Sequence, residues 1–262
     1  MSIDRVSVKK AIKNVASPFY DKKNIFYYFV LIFLSSIIGL FAPEKPQGQD
    51  VILFGILLML ACCLSFFING FYTLALNNSI HRREGVFTNP ISSLSQILLV
   101  ALFSLLGSVI WMIVMFVVTS VFMIPLLIYK QYVLAFVIPT IPLLFLVTLY
   151  LGAFFNFSVT LEIQEWFNIR KAWKFMACAT PFFLEFFAKS FFLGLCGTLL
   201  CAFILFVSSP ILAFTTEPVT TGVNGILTFI FSMIWCIISV YTLDLTAQFI
   251  RRTIHHGKLW LY

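Results

Sequence analysis

The chain has 262 residues, of which 61% are hydrophobic and only 10% are charged. Ordinary soluble domains have about 25% charged residues, so this composition excludes that class and indicates a protein whose main solvent is lipid. The formal net charge is +7, but the basic residues stand in short clusters beside apolar runs. Such clusters favour anionic lipid head groups over nucleic acid as their partner.

An amphipathic helix is the first element that the sequence predicts. The segment VKKAIKNVASPFY begins at Val8, and its apolar residues recur at helical spacing while its lysines lie off that stripe. This pattern is typical of a helix in the head-group plane of a membrane. Because the residue before a proline disfavours helical geometry, Pro18 predicts a corner where the chain turns into the bilayer.

Six apolar runs follow, and each reaches the ~20 residues that a helix needs to cross a hydrocarbon layer of ~30 Å. Their approximate ranges are 24–43, 51–79, 93–128, 132–161, 182–210 and 223–250. The first run follows a long amphipathic segment and lacks a signal-peptide cleavage pattern, so we interpret it as a retained span. Helices are predicted rather than barrel strands, because the two-residue alternation of a barrel is absent from the sequence.

Three prolines fall in the central pair of runs. Pro125 predicts the end of a helix, and the pair Pro139 and Pro142 predicts a kink or a break in the next helix. The physical reason is that proline removes a backbone hydrogen bond and crowds the preceding turn. The central helices are therefore expected to be irregular.

A second amphipathic helix is predicted before the fifth run. The segment IRKAWKFMACATPFF begins at Ile169, and Ala172, Trp173 and Met176 continue an apolar stripe like that of the first amphipathic segment. Pro181 predicts the same kind of corner. We therefore expect this helix, too, to lie in the head-group plane.

Two further segments match each other. YTLALNNSIHRR (72–83) and YTLDLTAQFIRR (241–252) share half of their positions, including both terminal arginines. Matched landmarks in the same order indicate a duplication, with parallel units of about 6–84 and 164–256 around a central part of 85–163. The central spans are either an insert or a third, decayed pair. The predicted fold is a single all-α, polytopic transmembrane domain with six transmembrane helices, two interfacial amphipathic helices and a parallel internal repeat.

The positive-inside rule orients this predicted fold. Most of the 17 basic residues lie at the same ends of the spans, which places both termini in the cytoplasm. We expect a belt of cations to contact anionic lipid head groups or a partner at that membrane surface. Its predicted members are Lys9, Lys10, Lys13, Arg82, Arg83, Arg170, Lys171, Lys174, Arg251 and Arg252.

Three ionisable residues lie within the predicted spans, where a charge is costly and therefore informative. Glu185 and Lys189 are four residues apart on span five, which favours a helical ion pair, and Asp244 lies at a similar depth on span six. We predict that the three form a cluster in the cytoplasmic third of the bilayer. It is either an ion or proton site or a neutralised group that fixes helix packing, and Lys189 alone is able to snorkel to the interface.

Neither a metal site nor a cofactor is predicted. His81, Glu84, His255 and His256 lie at span ends, and their loose spacing is more typical of a wet, basic helix end than of metal ligands. The six cysteines have no metal-ligand spacing and are interpreted as small buried hydrophobes. Metalloprotease, nucleophile-elbow and P-loop motifs are absent from the sequence, so a non-enzymatic role is expected.

Four phrases of the sequence resemble a known family. They are a basic N-terminal helix ending in Pro-Phe, the loop HRREG...NP after span two, a second helix with RKAWKF, and a last span closing on FIRR. Over most of its length the chain resembles the prokaryotic multi-span domain-of-unknown-function family numbered 4013. The resemblance implies a helical fold in the cytoplasmic (inner) membrane, and it supplies no catalytic residues.

Two functional hypotheses stay open. The first is a non-catalytic membrane protein that organises a complex or the bilayer, gripping anionic lipid or a partner through its basic amphipathic helices. The second is a small transporter or channel, with a path between the repeat units and the charged cluster as an ion or proton site. The apolar middle of the spans favours the first. A water-filled cavity that reaches mid-membrane between the units would favour the second. The sequence leaves open whether the protein forms a homo-oligomer.

Overall fold

Long α-helices account for most of the chain in the computed structural model, which describes residues 22–40, 50–83, 86–214 and 217–257. The helices are α1 (Lys22–Leu40), α2 (Asp50–Ile80), α3 (Leu94–Ile128), α4 (Tyr132–Thr160), α5 (Ile169–Phe214) and α6 (Glu217–Gly257). A short 3-10 helix, Ile163–Trp166, joins α4 to α5. No strand occurs within these ranges. The all-helical prediction is confirmed.

Five of the helices, α2 to α6, are long and apolar enough to cross a membrane. The bounds of α2, α3 and α4 agree closely with the predicted runs: the second run was placed at 51–79 and the helix spans Asp50–Ile80. Helices α5 and α6 extend well beyond the predicted 182–210 and 223–250. The apolar part of α1 is shorter, Lys23–Ile38. Five membrane-spanning candidates are therefore supported by length and composition, and the sixth crossing stays a prediction.

The predicted helix end at Pro125, break at Pro139 and Pro142, and corner at Pro181 are wrong, whereas a kink at Pro139 and Pro142 stays a prediction and Pro18 lies outside the described residues. Pro125 lies inside α3, and both Pro139 and Pro142 lie inside α4. Pro181 lies inside α5, which runs without interruption through the predicted corner. Each proline lacks the backbone N–H that would bond to the preceding turn. Next to Pro139 the Thr140 hydroxyl donates to the Phe136 carbonyl, and next to Pro181 the Thr180 hydroxyl donates to the Met176 carbonyl. In hydrocarbon the backbone has no water to turn to, so such helices persist through proline.

The second amphipathic segment is the first part of α5 and is not a separate interfacial helix. Its buried residues are Ala172, Phe175, Met176 and Ala179, which face protein, whereas Trp173 is half exposed. The predicted stripe was therefore shifted, because the buried face follows the contact with α4 and α6 rather than a lipid surface. The first amphipathic segment, with Lys9, Lys10 and Lys13, lies outside the described residues.

All clustered cations of the described chain lie at one end of the bundle, which we call the basic end. There α2, α4 and α6 finish and α3 and α5 begin. The residues include Lys23 at the start of α1 together with Arg82, Arg83, Arg170, Lys171, Lys174, Arg251 and Arg252. The opposite end, which we call the distal end, carries the turn between α3 and α4.

The core is concentrated toward the basic end. Phe71, Leu76, Phe175 and Phe249 are buried there, and Phe249 stacks on Phe186 with ring centroids 4.5 Å apart. The distal halves of the helices expose most of their apolar side chains. Lipid tails are as apolar as these side chains, so no hydrophobic force drives the distal halves together. The bundle is tight at one end and open at the other.

Polar side chains bind the last-turn carbonyls at the basic end. Asn77 Nδ2 of α2 donates to the carbonyl oxygens of Ser158 (3.0 Å) and Val159 (2.6 Å) at the end of α4. His81 Nε2 lies 2.9 Å from the same Val159 oxygen. The Arg251 guanidinium of α6 donates to the Ser79 carbonyl at the end of α2. These bonds fix the helices at this end, because the final carbonyls of a helix have no partner within it.

Two buried asparagines give a matched test of this capping. Replacing Asn77 with leucine removes both bonds to α4 and is expected to cost about 1–3 kcal/mol of stability. Asn156 is equally buried, but neither atom of its amide has a partner among the described residues. Asn156→Leu is therefore expected to be neutral or stabilising. Thermal unfolding of the purified variants in detergent compares the two. Equal losses would show that the Asn77 bonds do not hold α2 to α4.

Candidate functional site: a polar cleft

A cleft of about 520 Å³ lies between α2, α5 and α6, with one side chain contributed by α1. Its residues with hydrogen-bonding side chains are Tyr28 of α1, Ser65, Asn69 and Tyr72 of α2, Ser190 of α5, and Trp235, Ser239 and Thr242 of α6. Among the described residues that line it, none is charged. Ser65 and Asn69 are exposed, so the cleft is open and not a sealed void.

Helical spacing explains why these polar groups meet. Ser65, Asn69 and Tyr72 are separated by four and three residues, so they form one stripe along α2. Ser239 and Thr242 form a similar stripe along α6. The stripes face each other because α2 packs against α6 near the basic end. The polar surface thus runs from the middle of α2 toward the basic end.

Two close helix contacts leave room for the cleft. A Cβ on Gly70 would collide with the backbone of Ile97, so α2 approaches α3 closely at this point. The end of the Ile238 side chain of α6 lies against Gly197 of α5, where a Cβ would collide with it. Each flanking helix is thus held against another neighbour. The space between α2 and α5 stays unfilled.

Hydrogen bonds order most of the lining. The Tyr28 side chain bonds with Ser239, and the Tyr72 side chain bonds with Thr246, one turn beyond the cleft on α6. Asn69 Nδ2 donates to Ser104 Oγ of α3 at 3.2 Å. The Ser190 hydroxyl is different, since its oxygen is buried without a partner among the described residues. A buried hydroxyl normally has one, so Ser190 marks unused bonding capacity in the wall.

The charged residues that were predicted to form a site do not line the cleft. Lys189 Nζ lies 2.6 Å from Glu185 Oε1, which confirms the helical ion pair. Arg252 of α6 lies 2.9 Å from the other oxygen of Glu185, and its guanidinium is 3.9 Å from the centroid of the Phe182 ring. Glu185 is therefore neutralised by two cations. The network joins α5 to α6, which fits the packing interpretation better than an open ion site.

Asp244 is buried on α6 and accepts a hydrogen bond of 2.6 Å from Gln248 Nε2. It shares a face with Arg251, seven residues later, and Arg251 reaches the end of α2. Arg252, which binds Glu185, lies about 80° farther around the helix from Asp244 at 100° per residue. The membership of Asp244 in one cluster with Glu185 and Lys189 stays a prediction.

The seven predicted head-group cations that the structure describes divide into two groups. Lys171, Arg251 and Arg252 are only partly exposed and bind within the protein, Lys171 to Glu165 Oε1 at 2.5 Å. Four are exposed at the basic end: Arg82, Arg83, Arg170 and Lys174. The side chains of the exposed group are able to reach lipid phosphates, whereas those of the first group hold helices together.

The described histidines make different contacts. His81 contacts the end of α4, and the His256 ring packs against Phe182 at 5.1 Å between centroids. In the part of the chain that the structure describes, no three His, Cys, Asp or Glu side chains are grouped to hold a metal. Glu84 lies outside that part.

Comparisons with protein-family models, with curated proteins and with solved structures give no match to this chain. The resemblance to the family of unknown function numbered 4013 therefore stays a prediction. The candidate site rests on geometry alone.

Sequence reasoning did not find the cleft or the role of Arg252. The spacing of Ser65, Asn69 and Tyr72 can be read from the sequence. A polar stripe on one helix predicts a cleft only when a second polar stripe is known to face it. Arg252 was assigned to lipid because it follows a span. The sequence did contain a signal for the ion pair between Arg252 and Glu185. Arg252 lies at the end of span six, at a depth similar to that of Glu185, which follows Pro181 by four residues.

Removing the charge of Glu185 tests whether the network holds α5 to α6. The Glu185 side chain is 33% exposed, so solvent screening limits the expected loss in Glu185→Gln to about 1 kcal/mol. Lys189→Met should cost less, because the described ion pair of Lys189 lies within α5 whereas that of Arg252 joins two helices. Thermal unfolding in detergent measures both. An unchanged melting temperature in Glu185→Gln would remove the packing role and return the residue to the list of candidate ion ligands.

Proposed function

We propose that this protein is a small membrane transport protein whose substrate occupies the cleft between the α1–α2 pair and the α5–α6 pair. The observation that carries the proposal is the pair of facing polar stripes, which include Ser65, Asn69, Ser239 and Thr242, in the middle of otherwise apolar helices. Polar side chains are expensive at this depth, and such positions line substrate pathways in membrane proteins. The pathway proposed here does not use Glu185 as an ion site, because two cations already neutralise it.

The proposal includes an orientation and a non-enzymatic role. The basic end faces the cytoplasm of a prokaryotic cell, as the positive-inside rule favours, and α1 adds a sixth crossing that brings both termini to that side. The protein belongs in the inner membrane and uses no cofactor. Close similarity of the end of α2 to the end of α6, including the arginine pairs 82–83 and 251–252, supports two related units around the cleft.

A cysteine placed in the cleft tests whether water and solutes reach it. In a chain whose six native cysteines are replaced by alanine, Ser190→Cys should react with a membrane-impermeant methanethiosulfonate reagent in proteoliposomes. Phe203→Cys lies on exposed, apolar α5 surface and serves as the control. Thiolate is the reactive form and needs water, so the cleft cysteine should react faster by about tenfold or more.

Two outcomes decide this test. Reaction at Ser190→Cys that is blocked by Gly194→Leu, which fills the cleft wall, would support passage through the cleft. Equal and slow reaction at both cysteines would exclude an aqueous path at this depth and with it the transport proposal.

A second candidate function is favoured by the outer face of α5 at the basic end. Ile169 and Trp173 are both half exposed, and Arg170 and Lys174 stand beside them, also exposed. Tryptophan and basic residues together are typical of the membrane interface. This face would grip anionic lipid head groups or a partner protein and would organise a membrane complex without catalysis.

Neutralising that face tests the second candidate. The double variant Arg170→Gln, Lys174→Gln should lose about 2 kcal/mol of affinity for phosphatidylglycerol, at about 1 kcal/mol per cation near a charged surface. Lys130→Gln changes an exposed lysine at the distal end and is the control. Native mass spectrometry of the protein with bound lipid gives the measurement. If the double variant and the control retain the same amount of phosphatidylglycerol, the face has no special role in lipid binding.

A further inference from the structure

The lining of the cleft has a definite chemistry. It offers six hydroxyl groups, one amide and the indole N–H of Trp235 on a lining that is otherwise mostly apolar, and no charged side chain among the described residues that line it. An ion held there would stand in a low-dielectric site without a countercharge, which is costly. A neutral group that both donates and accepts hydrogen bonds suits these walls better.

One hydroxyl of the cleft lining, Ser190 Oγ, lacks a partner within the described chain. Ser232 Oγ of α6 lacks one as well, but Ser232 does not line the cleft. A buried hydroxyl normally has a hydrogen-bond partner, so the unused capacity of Ser190 indicates a ligand with a polar atom of its own.

The space beyond the cleft is apolar. Toward the distal end the exposed side chains of α2 include Leu58 and Met59, and those of α5 include Leu199 and Phe203. Water gains no hydrogen bonds from such walls, whereas an acyl chain packs well against them. The polar cleft thus opens into surroundings suited to a hydrocarbon chain.

We propose that the cleft binds the neutral polar end of an amphiphile, such as a long-chain alcohol or another uncharged hydroxyl-bearing lipid, while its chain lies between the distal halves of α2 and α5. This inference rests on the proposed function, since it names the substrate class of the same cleft. The volume of about 520 Å³ is in the usual range for small-molecule sites of about 300–1,000 Å³. It accommodates a polar end group and the first part of a chain.

Photo-crosslinking tests the substrate class in proteoliposomes of the full chain. The probe is a hexadecanol analogue that carries a diazirine and an alkyne, and the comparison probe is the matching alkyl sulfonate, which stays charged. The alcohol should label peptides of α2, α5 and α6 that border the cleft. The sulfonate should label only general lipid-facing surface.

Two glycine variants make the test specific. Gly194 lines the cleft and has nothing within 4 Å of an added Cβ, so Gly194→Leu fills the cleft without a backbone collision. Gly55 of α2 is equally open but does not line the cleft, so Gly55→Leu is the matched control. Gly194→Leu should lower the alcohol labelling about tenfold, a loss of about 1.4 kcal/mol, and Gly55→Leu should leave it unchanged.

The outcomes separate this inference from the transport proposal. Alcohol labelling that depends on Gly194 supports the substrate class, even where Ser190→Cys proves unreactive toward water-soluble reagents and transport fails. Sulfonate labelling that depends on Gly194 as strongly as alcohol labelling would overturn the inference, while leaving the cleft as a path. Labelling of both probes that ignores Gly194→Leu would overturn it as well.

Discussion

The bonding of helix-end carbonyls at the basic end is the constraint on which the rest of the structure depends. The last carbonyls of a helix have no partner within that helix, and near hydrocarbon there is little water to replace one. Asn77 and His81 serve this need for α4, and Arg251 serves it for α2. Each bond crosses from one helix to another. The hydrogen bonds that satisfy these backbone carbonyls therefore also fix the arrangement of the helices.

The open distal end follows from that arrangement. Apolar side chains gain little by leaving lipid for one another, so helices stay together where polar bonds or close packing hold them. Here those contacts are concentrated at the basic end, and α2 packs against α3 at Gly70 while α5 packs against the Ile238 side chain of α6 at Gly197. The cleft lies between α2 and α5, where these two helices pack against different neighbours. Polar side chains of α2 and α6 line part of that gap.

The lengths of the central spans could be predicted from the sequence, whereas the helix ends and breaks predicted at prolines were wrong. One physical reason explains both outcomes. Span length follows from a continuous apolar run, so α2 was placed within a residue at each end. Proline, by contrast, was judged by its behaviour in water, where a broken helix finds other hydrogen bonds. Inside the bilayer the alternatives are worse, and α5 continues through Pro181. The Glu185 and Lys189 pair was predictable from spacing within one helix, but the third partner, Arg252, required the register between two helices.

The two similar segments at the ends of α2 and α6 do different work. Arg251 and Arg252 bind the Ser79 carbonyl and Glu185, so the second arginine pair holds helices together. Arg82 and Arg83 remain exposed, and the only side-chain contact of the first pair is a long one of 3.5 Å from Arg83 to Asn78 within the described residues. A carboxylate makes the difference, because Glu185 on α5 supplies a partner for Arg252. The arginines at the end of α6 are thus paired inside the protein, whereas those at the end of α2 stay exposed.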